Sequence, residues 1–183
     1  MRVFIGIDFP EDIKKEIIEI QKFIKDSSIS GRWKYIDNFH LTLKFVGETT
    51  QDKIAIIHKK VEEELKEYKS FNIKTGALSC FKGKDSLRVV YLSLEDNDDE
   101  LKGLAEIIDG CCSSAGIEKE KRIFTPHITI AQDVVLKAGF PSLKAQLENR
   151  GSLSIDVDGV YTFKSEQIGN KRVYTKINCI KLK

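Results

Sequence analysis

Hydrophobic and polar positions along the chain repeat with a period of two in some stretches and about 3.6 in others, which predicts alternating strands and helices. Residues 2–8 are a short β-branched run typical of a buried strand. Pro10 suits the first turn of a helix, and isoleucines at helical spacing continue an apolar stripe to about residue 25. Three further helices are predicted. They run from about residue 50 to 68, from the acidic run at 95–100 to about 115, and over 142–148.

Four later segments read as strands in two hairpins, because turn-forming residues separate the members of each pair. They cover residues 71–78 and 87–94, then 153–163 and 172–182. The dipeptide Asp158-Gly159 suggests a bulge within the third of them. Residues 27–31 are predicted to be a loop, followed by a short extended piece at 33–35.

One tetrapeptide pattern occurs twice, as His40-Leu41-Thr42-Leu43 and as His127-Ile128-Thr129-Ile130. The chain has three histidines, and two of them lie in this pattern. We interpret the third, His58, as a solvated helix residue. The two motif histidines are 87 positions apart, close to half the chain. This spacing predicts a duplicated α+β unit with a pseudo-twofold axis between the histidines.

Length and composition narrow the class of protein. A chain of 183 residues predicts a single domain, with two small lobes as the alternative. A net charge of +2 is too mild to indicate nucleic-acid binding from charge alone. Neither a signal-peptide pattern nor an apolar run of membrane-spanning length is present, so we expect no membrane association and a cytoplasmic location. Four cysteines without CxxC spacing are expected to be reduced and mostly buried.

The repeated pattern carries the candidate chemistry. In a pleated strand, a histidine and a threonine two positions apart lie on one face, and the intervening aliphatic residue faces the core. Two such strands side by side place two imidazoles and two hydroxyls in one cleft. One histidine can then take a proton from a nucleophile while the other gives one to a leaving group. The hydroxyls of Thr42 and Thr129 suit phosphoryl oxygens, and strict alternation places Lys44 on the same face. We therefore expect catalysis on a phosphodiester attacked in line.

Three other interpretations compete with this one. The two histidines could be structural residues, although the doubled context argues against it. They could bind a metal, but two histidines fall short of the three protein ligands of a catalytic zinc site, so no metal and no cofactor is expected. Serine or cysteine nucleophiles lack a supporting motif.

The chain also resembles a known family. Residues 2–8, the block Asn38-Phe39-His40-Leu41-Thr42-Leu43-Lys44-Phe45-Val46-Gly47 with Arg32-Trp33 before it, and the block Phe124-Thr125-Pro126-His127-Ile128-Thr129-Ile130-Ala131 resemble motifs of the 2H phosphoesterase superfamily. The likeness is strongest to its RNA 2′,3′-cyclic phosphodiesterases, also called 2′-5′ RNA ligases. It implies a bilobal α+β fold, with two pseudo-twofold-related lobes whose antiparallel sheets line a central cleft and whose helices lie outside.

The resemblance further implies metal-independent opening of 2′,3′-cyclic phosphate ends of RNA to 2′-phosphates by a monomer. It makes His127 the base and His40 the acid, with their roles exchanged in the ligase direction. Whether hydrolysis or ligation is the natural direction is left open. A nucleotide- or RNA-end-binding protein with weak turnover is the alternative.

One position departs from the family pattern. Gln132 stands where the family often has an arginine, so a phosphate-facing guanidinium is missing. Lys44, Arg2 or a basic residue within 119–122 is expected to compensate. Phe4 and Phe124 are candidates to stack on a base, with burial in the core as the alternative.

Overall fold

The computed structural model describes residues 1–95, 99–148 and 150–183 as an α+β protein. The strands within these residues are β1 (Arg2–Asp8), β2 (Ser28–Trp33), β3 (His40–Glu48), β4 (Phe71–Lys82), β5 (Leu87–Glu95), β6 (His127–Leu136), β7 (Ser154–Val157), β8 (Gly159–Ile168) and β9 (Lys171–Lys181). The helices are α1 (Glu11–Asp26), α2 (Gln51–Leu65), α3 (Glu100–Ser114) and α4 (Phe140–Leu147). The acidic run predicted to begin the third helix falls partly on residues 96–98, outside the described residues.

All strand pairs are antiparallel, in the order β7-β4-β5-β6-β3-β1-β8-β9, and β2 lies beside β6. The two halves of the sheet meet where β3 pairs with β6 at Leu41 and Ile128. Each half contains a strand, a helix and then the motif strand, as β1-α1-β3 and as β5-α3-β6. The predicted α+β class and duplicated architecture are confirmed, and the two expected sheets join edge to edge.

The core lies between one face of this curled sheet and the helices. Leu41 and Ile128 are fully buried from the sheet side, and Ile17 and Leu104 are fully buried from the helix side. The isoleucine stripe of the first helix thus faces the sheet as its spacing predicts. Helix α2 begins where Thr50 caps it, its hydroxyl accepting a hydrogen bond from the Lys53 amide. On the opposite face of the central strands, Thr42 and His127 line a cleft.

Two local predictions are wrong. Residues 28–33 form strand β2, not a loop, because their backbone groups pair with the free edge of β6. Residues 153–163 do not form one bulged strand. Strand β7 pairs with β4 and β8 pairs with β1, so Asp158 carries the chain from one half of the sheet to the other.

Several isolated predictions have mixed outcomes. His58 is half-buried, and its Nε2 is shielded from solvent without a hydrogen-bond partner among the described residues, so its interpretation as a solvated side chain is wrong. Of the free cysteines, Cys111 and Cys112 are buried, Cys80 is half-buried and Cys179 is exposed. In the described ranges no helix has both the length and the apolar character needed to span a bilayer.

Candidate active site

The two motif histidines occupy equivalent positions at the starts of β3 and β6. His40 Nδ1 donates to the carbonyl oxygen of Asn38 at 2.8 Å, and His127 Nδ1 donates to that of Thr125 at 2.7 Å. In both cases the acceptor lies two residues earlier in the chain. A carbonyl oxygen can only accept, so each Nδ1 keeps its proton and Nε2 becomes the atom available for proton transfer.

Both motifs contain a β-bulge at the same place. Against β1, the register steps from Lys44 to Thr42, which leaves Leu43 as the extra residue of β3. Against β5, it steps from Ala131 to Thr129, which leaves Ile130 as the extra residue of β6. Each bulge lies three residues after its histidine. A bulge reverses the alternation of side chains beyond it. Residues after the bulge that strict alternation would place on the cleft face therefore lie on the core face, and the reverse.

The bulge in β3 overturns the prediction for Lys44. Its side chain is only 4% exposed and lies on the helix side of the sheet, where Nζ forms an ion pair with Asp109 of α3 at 2.5 Å. The same Nζ donates to the carbonyl oxygen of Glu118 at 2.7 Å. Phe45 takes the cleft-side position instead and is 61% exposed. Lys44 therefore does not offer its charge to a phosphate in the cleft, and it holds the loop before β6 against α3.

Close backbone approach fixes the first motif against β1. A Cβ placed on Gly6 would collide with the backbone carbonyl oxygen of Leu41, the residue after His40. Only glycine therefore lets β1 lie this close to the motif strand.

Aromatic rings surround His40. Its ring centroid lies 4.6 Å from that of Phe4 and 5.1 Å from that of Tyr174, and Phe163 stacks on Phe4 at 4.8 Å. Phe4 is 3% exposed, so it supports the histidine from within the core and does not stack on a base. The burial alternative for Phe4 is thus the correct one.

The surroundings of His40 keep its imidazole neutral. Burial, together with the positive charges of Lys34 and His127, lowers the pKa of His40 to about 4. The hydrogen bond to Asn38 and the carboxylate of Asp8 oppose this effect. With Nδ1 protonated, Nε2 accepts a hydrogen bond from the Thr42 hydroxyl at 3.0 Å. The free protein therefore holds His40 as a neutral imidazole whose Nε2 is directed at the hydroxyl of Thr42.

Asp8 lies beside His40 and carries its own counter-ions. It is the register partner of His40, and its carboxylate forms ion pairs with Lys14 at 2.9 Å and with Lys176. Burial alone would raise the pKa of Asp8, but the hydrogen bonds from Lys176 and Lys14 lower it overall. A cavity of about 870 Å³ adjoins this cluster, yet both lysines are paired with Asp8, and the motif histidines do not line it.

A smaller cavity of about 330 Å³ joins the two motifs. Thr42 of the first motif and His127 of the second both line it. The rings of Tyr91 and Phe81 lie 5.1 Å and 5.6 Å from that of His127. Half-buried Phe124 lines the same cavity, so it remains the stronger candidate of the two phenylalanines for contact with a base.

The other predicted contacts have separate outcomes. Gln132 is half-buried and lies opposite Arg32 in the register of β2 and β6. Within residues 119–122, Lys121 is exposed and paired with Glu118. Arg122 is also exposed, and two of its nitrogens pair with Glu120. Arg2 is exposed, and its charge acts on Tyr174.

The structure adds cleft residues that sequence reasoning missed. Lys34 lies near His40 with Tyr174 and Arg172 of β9. Lys34 lies six positions before His40, directly after the dipeptide Arg32-Trp33 that precedes the first motif block. This closeness to His40 in the sequence was the signal that could have identified Lys34 as a site residue. Arg172 and Tyr174 are distant from His40 in the sequence, and no sequence signal pointed to them.

Comparisons with known proteins agree with this geometry. The family model of the 2′-5′ RNA ligase superfamily matches residues 9–168, which include both motifs. A Thermotoga maritima protein named RNA 2′,3′-cyclic phosphodiesterase is 36% identical over 72% of this chain and 70% of its own. A Methanocaldococcus jannaschii protein of the same name is 31% identical over 86% and 83%.

Solved structures share the fold. A crystal structure of Escherichia coli LigT complexed with 3′-AMP superposes with a TM-score of 0.79 at 24% identity, covering 99% of this chain and 97% of that one. The structure of TT0787 from Thermus thermophilus gives 0.79 at 21% identity, covering 100% and 98%. Fold, motif geometry and family match together show that this chain belongs to the 2′-5′ RNA ligase superfamily.

Proposed function

We propose that this protein hydrolyses 2′,3′-cyclic phosphate ends of RNA to 2′-phosphates, with His127 and His40 as the acid–base pair. The observation that carries the proposal is the matched pair of imidazoles. Each one keeps its Nδ1 proton on a backbone carbonyl two residues earlier, and each is followed two residues later by a threonine, which for His40 lies 3.0 Å from Nε2. Relatives at 31% and 36% identity carry the name RNA 2′,3′-cyclic phosphodiesterase, which favours the same substrate class for this chain.

The reaction uses the Nε2 atom of each motif histidine. His127 Nε2 takes a proton from water, and the water oxygen attacks phosphorus. The bond between phosphorus and the 3′ oxygen breaks, and His40 Nε2 gives that oxygen a proton. The products are a 2′-phosphate and a 3′-hydroxyl, and the same steps in reverse exchange the roles of the two histidines.

Substrate must change the protonation state of His40 before it can act as the acid. Its pKa of about 4 leaves it neutral at pH 7 in the free protein. A phosphate anion bound beside Nε2 favours the imidazolium form, so binding raises the pKa and draws in a proton. The hydroxyls of Thr42 and Thr129 then turn to the non-bridging oxygens as neutral donors. All four side chains come from one chain, which supports a monomer as the acting unit.

The proposal requires no metal. Among the described residues no group of three or more His, Cys, Asp or Glu side chains is placed to hold a metal ion. Acid–base catalysis by the two imidazoles and neutral hydrogen bonds from the threonines account for the bond changes above. The test therefore measures turnover in the presence of a chelator.

The decisive experiment measures turnover of a dinucleotide ending in a 2′,3′-cyclic phosphate, in EDTA. We expect the wild type to be active, and His40→Ala and His127→Ala each to lose at least about 10²-fold in kcat/KM. His58→Gln is the control, because that histidine lies on α2, away from the cleft. Unchanged turnover in either motif variant would refute the two-histidine mechanism.

One observation favours a second function. Gln132 brings no charge where the family often has an arginine, which suits a protein that binds RNA ends with little turnover. In that case the wild type would bind a 2′-phosphate-ended dinucleotide but leave the cyclic one intact in the same assay.

A further inference from the structure

Lys34 is a half-buried cation at the edge of the candidate active site. Its amide donates to the carbonyl oxygen of Ile130 at 3.1 Å, and its carbonyl oxygen accepts from Gln21 Nε2 at 2.9 Å. These bonds anchor its backbone to the second motif strand. Its ammonium lies 5.7 Å from the ring centroid of Tyr174, and that ring is 5.1 Å from the ring of His40.

The ammonium of Lys34 has no carboxylate partner in the described part of the chain, and neither has the guanidinium of Arg172. Burial lowers the pKa of Lys34, and the charges of Arg32 and Arg172 lower it further. Two other cations, in contrast, each pair with a carboxylate. Arg32 pairs with Asp133 at 2.5 Å, and Lys44 pairs with Asp109. A cation that is partly withdrawn from water and set among like charges costs stability unless an anion joins it.

The position of the two cations indicates which anion they would take. In the sheet order, β9 lies on the opposite side of β3 from β6, so Arg172 and Tyr174 lie beyond His40 as seen from His127. His40 is the group that protonates the departing 3′ oxygen, so the nucleoside bearing that oxygen lies on its side. The next anionic group of an RNA chain after the cyclic phosphate is the phosphodiester on the 5′ side of that nucleoside.

We propose that Lys34 and Arg172, grouped around the ring of Tyr174, form a subsite for the phosphodiester immediately 5′ of the terminal nucleoside. This inference rests on the proposed function and adds to it a preference for oligonucleotides over cyclic mononucleotides. The backbone of Arg172 is fixed for this role, because its carbonyl oxygen accepts from Asn38 Nδ2 at 2.7 Å, two residues before His40.

The test compares two substrates with the same terminal nucleoside. One is a 2′,3′-cyclic mononucleotide, which lacks the internal phosphodiester, and the other is a dinucleotide with the same cyclic end. We expect the wild type to prefer the dinucleotide in kcat/KM. Lys34→Met should remove about tenfold or more of that preference, and because both substrates react at the same His40, any effect of the lost charge on the His40 pKa cancels in the ratio.

Two further variants separate charge from packing. Lys34→Arg keeps the charge and should retain most of the preference. Lys59→Met removes an exposed lysine from α2 and should retain all of it. Lys34→Met should also melt at an equal or higher temperature than the wild type, because it relieves repulsion among cations. If Lys34 belongs to a subsite, the same substitution therefore weakens substrate binding and does not destabilise the fold.

A binding measurement decides the inference even without turnover. Fluorescence anisotropy with a 2′-phosphate-ended dinucleotide should show a weaker salt dependence for Lys34→Met, with the log–log slope smaller in magnitude by about 0.7. Equal losses on both substrates would place Lys34 at the reacting phosphate and overturn the subsite. Unchanged preference together with an unchanged salt slope would overturn it as well. Failure of the wild type to turn over either substrate would refute the proposed function, whereas the salt slope would still judge the subsite.

Discussion

Leu41 and Ile128 are register partners across the junction of the two half-sheets, and each directly follows one of the motif histidines. Because the two strands are antiparallel, this pairing sets His40 across from Thr129 and His127 across from Thr42, which brings both motifs to one cleft. Both aliphatic side chains are fully buried, so the relationship is held by the core. The active cleft is thus a consequence of how the duplicated halves join.

The protonation of His40 should be sensitive to both pH and ligand. NMR titration of the free protein should show a pKa near 4, and a bound 2′-nucleotide should raise it. Because the unfolded value is 6.5, the folded state binds fewer protons between pH 6.5 and 4. As the pH is lowered through this range, the free energy of unfolding should therefore fall by up to about 3 kcal/mol. His40→Gln should remove most of this fall in urea titrations. A His40 pKa near 6.5 in the free protein would contradict the proposed environment.

Replacing Gln132 by arginine should supply the charge that the family pattern often has at this position. Its neighbour Ala131 is fully buried, so position 132 lies on the opposite, cleft-side face of β6. A charge-assisted hydrogen bond exceeds a neutral one by about 1 kcal/mol, or about fivefold in affinity for a 2′-nucleotide. Calorimetric titration of Gln132→Arg measures this. Gln146→Arg, on exposed α4, adds the same charge elsewhere and should leave the affinity unchanged.

Asp109 should be essential for the loop that precedes the second motif. Besides its ion pair with Lys44, its carboxylate accepts from the Glu120 amide at 3.2 Å. Asp109→Asn leaves a buried ammonium without its counter-charge and should cost about 3–5 kcal/mol in chemical denaturation. Glu106→Gln, exposed on the same helix, is the control. The double variant Lys44→Met with Asp109→Leu should recover most of the stability, and failure to do so would contradict a purely electrostatic cost.

Gly6 and Gly110 should respond in opposite ways to alanine. Gly6→Ala forces β1 away from the carbonyl oxygen of Leu41, so we expect a loss of at least about 2 kcal/mol together with reduced kcat. Nothing within 4 Å meets a Cβ at Gly110, which lies within α3, so Gly110→Ala should stabilise by about 0.5–1 kcal/mol. Thermal melts and turnover of the cyclic dinucleotide measure both effects. Full activity in Gly6→Ala would show that the motif strand tolerates displacement.

The sequence by itself determined most of the helices and strands and the candidate catalytic pattern. Local periodicity and the repeated His-x-Thr pattern depend on side-chain direction within one strand, so the faces of His40, Thr42, His127 and Thr129 followed from spacing alone. The apolar stripes of the helices and the family resemblance could also be recognised from the sequence, because both depend on residues close together in the chain.

Tertiary structure decided what lies beside those residues. The bulges at Leu43 and Ile130 depend on register against β1 and β5, and the first of them places Lys44 in the core and Phe45 in the cleft. Lys34 and Tyr174 are 140 positions apart in the chain and meet beside His40 because the sheet curls. Strand register and sheet curvature are set by contacts between distant segments, which no local pattern encodes.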